Sequence, residues 1–237
     1  MCQTLTGKVI LITGGTAGVG AGTTIGPPRH KPAHLLFTGR NPKTAESTIS
    51  AAAPTELCIS VVECDLADLA SVKTAADKVL SDLDRLDVLV CNAGIKLLHG
   101  RLGRRHRDVR VVMVTSTAWR GTRPGGIVFE KIRTAQEMAI AKRHPKITPG
   151  VVATGLVTDL GFVDRALIYI PNIGKVKTAE GTHNLLWSIT APKESIKRGV
   201  FYEPVGLSPM ETKASKDPEL GKKLWDWTKT ELKKWMY

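Results

Sequence analysis

Apolar and polar positions follow two rhythms along this chain. Short continuous apolar runs read as strands: Val9-Ile10-Leu11-Ile12, His34-Leu35-Leu36-Phe37-Thr38, Cys58-Ile59-Ser60-Val61-Val62-Glu63-Cys64, Leu86-Asp87-Val88-Leu89-Val90-Cys91 and Arg110-Val111-Val112-Met113-Val114-Thr115. Between the third and fourth runs, Leu69, Val72, Ala76, Val79, Leu80 and Leu83 recur at helical spacing. Strands alternating with helices predict a parallel sheet covered on both faces. No repeat, low-complexity stretch or domain boundary interrupts the pattern. At the far end Asp217 suits a helix cap and Pro218 a first turn, with Leu220, Leu224, Trp227, Glu231/Leu232 and Trp235 on one stripe. Lys222, Lys223, Lys229, Lys233 and Lys234 share this helix, about 217–236. Such a helix can lie on a membrane or bind a partner. Packing on its own domain or on a sister subunit is the commoner use of such a stripe, and is the expectation here.

The first run leads straight into Thr13-Gly14-Gly15-Thr16-Ala17-Gly18-Val19-Gly20, where a first strand hands over to a first helix. Phosphate chemistry accounts for the spacing. Gly14 permits a tight turn, Gly18 lets the backbone approach a pyrophosphate, and Gly20 lets the helix pack closely on the strand. The helix N-terminus adds N–H groups and partial positive charge. A structural turn is the alternative, but these flanks favour a dinucleotide site. Gly26-Pro27-Pro28 should end this helix early, since an interior proline costs about 3 kcal/mol.

Composition narrows the class. A chain of 237 residues can bury one large α/β core, and no apolar run approaches the length of a membrane span. The N-terminal residues lack a signal-peptide layout. Four scattered cysteines, Cys2, Cys58, Cys64 and Cys91, argue for reduced thiols and against a metal site. The expected location is cytoplasmic. The net charge of +12 is concentrated in part at Lys96, Arg101, Arg104, Arg105, Arg107 and Arg110. That run can grip phosphates. Without an aromatic platform or reading motif it reads better as a solvated surface, so a nucleic-acid partner is not expected.

The strand ends carry further markers: Asp65-Leu66 after the third strand, Asn92-Ala93-Gly94 after the fourth, Ser116 after the fifth, and later Pro149-Gly150-Val151-Val152-Ala153-Thr154. With the glycine turn, their order resembles the short-chain dehydrogenase/reductase family, most of all its fungal members, over nearly the whole chain. The resemblance implies a Rossmann-like, doubly wound α/β sheet in a single domain, residues 1–237. It assigns Gly14, Thr16, Gly18, Val19 and Gly20 to the cofactor's phosphates and ribose. Asp65 and Leu66 would hold the adenine, and Asn92 and Gly94 would line the middle of the cleft. Val152 and Thr154 would touch the nicotinamide carboxamide, and Ser116 would hydrogen-bond the substrate oxygen. The implied substrate is a small carbonyl or alcohol, and homo-oligomers are common in the family.

NAD sites place an acid about twenty residues beyond the glycines, to take the ribose 2′-hydroxyl. Here the second strand ends Thr38-Gly39-Arg40. A guanidinium pairs with a 2′-phosphate in fork geometry, which points to NADP.

The family's Tyr-x-x-x-Lys pair, which passes a proton to the carbonyl, has no counterpart. Tyr169, Tyr202 and Tyr237 are the only tyrosines, none has lysine four residues on, and all follow Pro149-Gly150. Other departures read as missing segments. The stretch Ile95–Asp108 is glycine- and arginine-rich without an apolar face, Ala135-Gln136-Glu137-Met138 runs almost at once into Ala141-Lys142-Arg143-His144-Pro145, and Lys146-Ile147-Thr148 leaves almost no sixth strand. The expected sheet is therefore incomplete at the sixth strand and at the helices before and after the fifth. Losing a positioned proton donor costs about 10²–10⁴-fold in rate. The expectation is an impaired NADP-dependent oxidoreductase. Its alternatives are a non-catalytic nucleotide-binding pseudoenzyme or the product of misassigned exon boundaries, and, behind these, a basic protein binding nucleic acid or an acidic partner.

Overall fold

The computed structural model describes residues 5–52, 57–93, 109–115, 127, 129–131, 181–203, 205–207 and 213–235. The described residues fall into two compact units. One takes in everything up to Thr115 together with 181–207, and the other takes in 127, 129–131 and 213–235.

The first unit is built on five parallel strands: β1 (Val9–Ile12), β2 (His34–Gly39), β3 (Cys58–Glu63), β4 (Val88–Cys91) and β5 (Arg110–Met113). Their spatial order is β3-β2-β1-β4-β5. Helices α1 (Gly18–Ile25), α2 (Pro42–Ala52), α3 (Leu69–Asp82) and α4 (His183–Thr190) accompany them. This is the parallel sheet expected from the alternating runs, in the doubly wound arrangement that the family resemblance implied. The chain leaves β1 in one direction to reach β2 and β3, then returns to β1's other side with β4. That reversal makes the C-terminal ends of β1 and β4 a topological switch point.

The runs of β1, β2 and β4 lack alternation because both of their faces are buried. Ile10, Ile12, Leu35, Phe37, Val88 and Val90 point into one layer with Ala45 of α2 and Leu185 and Ile189 of α4. Val9, Leu11, Leu36, Val62, Leu89 and Cys91 point into the other, with Val72, Ala75 and Val79 of α3. A period of two therefore feeds two cores.

The strand ends differ from the expected bounds by one or two residues. β4 begins at Val88, because Asp87 turns its carboxylate back to accept from the Val9 N–H at 2.8 Å. β2 runs on to Gly39, which pairs with Glu63, the last residue of β3. β5 stops at Met113. On α3 the expected stripe shifts by one position in places: Ala75 is buried and Leu80 is 42% exposed, one residue round the helix from the buried Val79. Helix α1 ends at Ile25 as the prolines require, and Pro27–His30 continues as a 3₁₀ turn.

Helix α4 lies close along α1. A Cβ on Gly22 would meet the Thr182 side chain at 2.5 Å, and one on Gly26 would meet Leu186 at 2.3 Å. Small residues four apart thus admit Thr182 and Leu186, also four apart. The C-terminus of α4 is held by Arg110 from β5. Its guanidinium donates to the carbonyls of Ser188, Ile189 and Ala191 at 3.3, 3.1 and 2.7 Å. One member of the basic run is thereby committed to a helix end, where a cation meets the negative pole of the dipole.

In the second unit, helix α5 (Pro218–Leu232) starts where Asp217 accepts from the Glu219 and Leu220 N–H groups. It ends earlier than expected, and its last turn tightens into a 3₁₀ turn over Lys233–Trp235. None of its residues is buried. Among the described residues no helix is long and apolar enough to cross a membrane.

Candidate functional site

The glycine turn sits at the switch point and is held from three sides. From β2, Thr38 accepts twice: its hydroxyl from the Gly14 N–H at 2.9 Å and its carbonyl from the Gly15 N–H at 2.9 Å. From the end of β4, the Asn92 amide donates to the carbonyls of Thr13 and Gly14 at 3.0 and 3.2 Å. From α1, the buried Thr24 hydroxyl lies 3.2 Å from the Gly15 carbonyl and 3.0 Å from that of Gly20. Thr13 links β1 to the residue after Asn92, since its hydroxyl lies 3.3 Å from the Ala93 N–H.

Two of the glycines have no substitute here. Gly14 has φ +66°, and a Cβ on it would stand 2.8 Å from the Ala93 Cβ. A Cβ on Gly20 would stand 2.1 Å from the Gly14 carbonyl oxygen and 2.5 Å from Asn92 Nδ2. The close approach at Gly20 is therefore to the turn and to β4's end, where the spacing alone suggested strand β1. Ala17, the residue capping α1, offers no side-chain acceptor, and no acid stands in the first turn. First-turn N–H groups of α1 thus keep their capacity to bind an anion.

Arg40 follows β2 directly and is 74% exposed on its side chain, with its guanidinium 3.9 Å from the Asp65 carboxylate. Both groups face water, so this pair contributes at most about 1 kcal/mol. Asp65 is fixed locally: its N–H donates to Ser71 Oγ at 2.9 Å and its Oδ1 accepts from Ala67 N–H at 3.0 Å. Leu66 packs against the α3-side core. Next to it, burial pushes the Cys64 thiol pKa up, and the Asp65 charge adds to that. Thr16 lies over Gly39, where a Cβ would meet its methyl at 2.3 Å.

Of the residues expected from the sequence, Gly14, Thr16, Gly18, Val19, Gly20, Arg40, Asp65, Leu66 and Asn92 lie along the C-terminal ends of β1 to β4 and the turns that follow them. Gly94, Ser116, Val152 and Thr154 fall outside the described residues. Sequence reasoning missed Thr38 and Thr24. Their hydroxyls act across 24 and nine positions, and no periodicity reports such a contact. The available signal was a threonine immediately before Gly39-Arg40.

A family model described as short chain dehydrogenase matches residues 8–120, which hold all five strands and the glycine turn. A short-chain dehydrogenase/reductase of Armillaria gallica is 24% identical over 97% of this chain and 91% of its own length. Over residues 8–120 the chain is thus similar to the short-chain dehydrogenase family. Another fungal short-chain dehydrogenase/reductase, from Aspergillus calidoustus, is 26% identical over 97% of this chain and 95% of its own. These alignments run to 288 and 300 positions, longer than the 237 residues of this chain, so dozens of positions inside each relative have no counterpart here. Among solved structures, a short-chain dehydrogenase/reductase variant from Serratia marcescens superposes with a TM-score of 0.52 at 21% identity, covering 81% of this chain and 93% of that one. That likeness is one of fold.

Proposed function

We propose that this chain is a short-chain dehydrogenase that binds NADP(H) at the glycine turn and lacks the family's usual proton-transfer pair. The cradle that a Cβ at Gly14 or Gly20 would fill carries the reading, because it leaves backbone N–H groups at the start of α1 open to a pyrophosphate. Gly14, Thr16, Gly18, Val19 and Gly20 would hold the phosphates and ribose. Arg40 would pair with the 2′-phosphate, with Asp65 and Leu66 beside the adenine. Asn92 would act at the centre of the cleft by holding the turn. The cofactor, when bound, supplies hydride exchange with a carbonyl or alcohol carbon, and Ser116 would orient that oxygen.

The proton side of the chemistry is what the residues do not support. A general acid must reach the substrate oxygen with a suitable pKa, and in this family a lysine tunes the tyrosine. No tyrosine of this chain has lysine four residues on. Tyr202 has a structural use: its hydroxyl accepts from Lys197 N–H at 2.7 Å and its ring packs on Trp187 at 5.0 Å between centroids. NADPH should therefore bind saturably while carbonyl substrates are turned over slowly or not at all. Turnover at ordinary enzyme rates with a panel of aldehydes and ketones contradicts the lost-proton-donor reading, and absence of NADPH binding contradicts the whole.

The longer alignments favour a second, compatible reading, in which coding segments were skipped near Ile95 and Met138. Sequencing the transcript across both junctions decides it. Recovered codons restoring a Tyr-x-x-x-Lys turn support skipping, and an uninterrupted match to the present chain supports a pseudoenzyme.

A further inference from the structure

We infer that Thr38 is a positioning residue that ties the pyrophosphate-binding turn to the arm carrying Arg40. This rests on the NADP reading above and adds to it a residue that touches no part of the cofactor. Thr38 is 5% exposed and is the next-to-last residue of β2. Its hydroxyl and its carbonyl each accept one of two successive turn N–H groups, Gly14 and Gly15, both at 2.9 Å. Two residues further along the same backbone stands Arg40. One residue therefore sets how far the start of α1 lies from the guanidinium. A ligand that sets a pyrophosphate on the turn and a 2′-phosphate on Arg40 feels that distance.

The hydroxyl also decides where the Gly14 N–H points. With φ at +66° Gly14 turns its N–H sideways into β2, and Thr38 Oγ1 is the acceptor it finds. Without that oxygen the N–H would face a methyl group, a part-buried donor without its partner, and the turn would shift to reach another acceptor. Thr24 and Asn92 hold carbonyls of the turn, Gly15, Gly20, Thr13 and Gly14. Neither offers an acceptor to an N–H. Thr38 is thus the side chain, among the described contacts, that fixes the donor side of the turn.

The test compares two ligands on three proteins. NADPH spans both ends of the site, whereas 2′-AMP engages the Arg40 end alone. Thr38→Val keeps the shape and removes the acceptor, and Thr38→Ser keeps the acceptor. We expect Thr38→Val to lose about 10-fold in NADPH affinity through lost preorganisation, with 2′-AMP affinity within about 2-fold of the parent. Thr38→Ser should restore NADPH binding. Unchanged NADPH affinity in Thr38→Val overturns the inference, as does an equal loss for both ligands, which would mark general loosening. Should Thr38→Val fail to fold, amide hydrogen exchange of the parent protein provides the reading. The Gly14 N–H should be protected like that of Gly15, and free exchange at Gly14 overturns the inference. If the parent binds no NADPH, the NADP reading fails, while the Gly14 exchange result still judges the Thr38 clamp.

Discussion

Gly20 approaches Gly14 so closely that a Cβ at position 20 would stand 2.1 Å from the Gly14 carbonyl oxygen. That backbone cannot be relieved by turning a side chain. Gly20→Ala should push the start of α1 away from the turn and lower NADPH affinity by about 10²-fold, the scale of an ångström-sized misplacement. Around Gly221 in α5, by contrast, a Cβ would have no neighbour within 4 Å. Gly221→Ala should leave binding alone and stabilise by about 0.4–1 kcal/mol. Paired fluorescence titration and thermal unfolding check both.

Arg40 is the test of cofactor preference. Arg40→Ser removes the fork that would meet a 2′-phosphate, and the exposed contact with Asp65 at 3.9 Å is too weak for its loss to disturb the fold. NADPH affinity should fall by about 10–100-fold, the range of a charge-assisted bidentate contact, while NADH affinity stays level. Calorimetric titration with both nucleotides measures the split. Parallel losses for both would contradict the assignment.

Asp87 makes stability depend on acid. Burial works to raise its pKa, but hydrogen bonds from Arg85 and from Val9 N–H, with the charges of Arg85 and Lys8, prevail and hold it below the usual carboxylate range. A carboxylate with a depressed folded pKa contributes stability that is fully present above the unfolded value, about 3.9, and drains away as pH falls through the folded one. Asp87→Asn should cost about 1–3 kcal/mol at neutral pH, because the charge is lost and an NH2 donor replaces one of the two oxygens that accept from Val9 N–H and Arg85. Urea unfolding should show that this cost shrinks at low pH. A cost independent of pH would refute the charged role.

Arg110 should matter to folding and not to polyanions. Arg110→Ala removes the single guanidinium nitrogen that contacts three carbonyls at the C-terminus of α4. The expected loss is about 1–2 kcal/mol in chemical denaturation. Heparin affinity at matched ionic strength should change little, whereas a marked drop would return Arg110 to the basic surface.

How much was legible beforehand depends on the range of the interaction. The strands were readable because a two-faced parallel sheet writes itself as unbroken apolar runs, and Pro27-Pro28 announced the end of α1 through one missing donor each. Gly14 was readable because its positive φ is local backbone geometry, and Gly20 because a tight approach was expected there, though its partners proved to be the Gly14 carbonyl and Asn92. Thr38, Thr24 and the Gly22/Gly26 seat for Thr182 and Leu186 were not, since each needs a partner brought in by the fold. Strand ends slipped for the same reason: Asp87 looks like a strand residue until its carboxylate is seen on Val9 N–H. On β5, Val111 and Met113 remain 48% and 46% exposed beside Leu89 and Cys91, a strand read correctly from its apolar run with one face incompletely covered.

The central claim is a cofactor cradle that discriminates for the 2′-phosphate. Isothermal titration of the unmodified chain with NADPH and, separately, NADH tests it most directly. One saturable site per chain is expected, with NADPH bound about 10-fold or more tightly than NADH through the Arg40 contact. Equal affinities, or no saturable heat with either nucleotide, would contradict it.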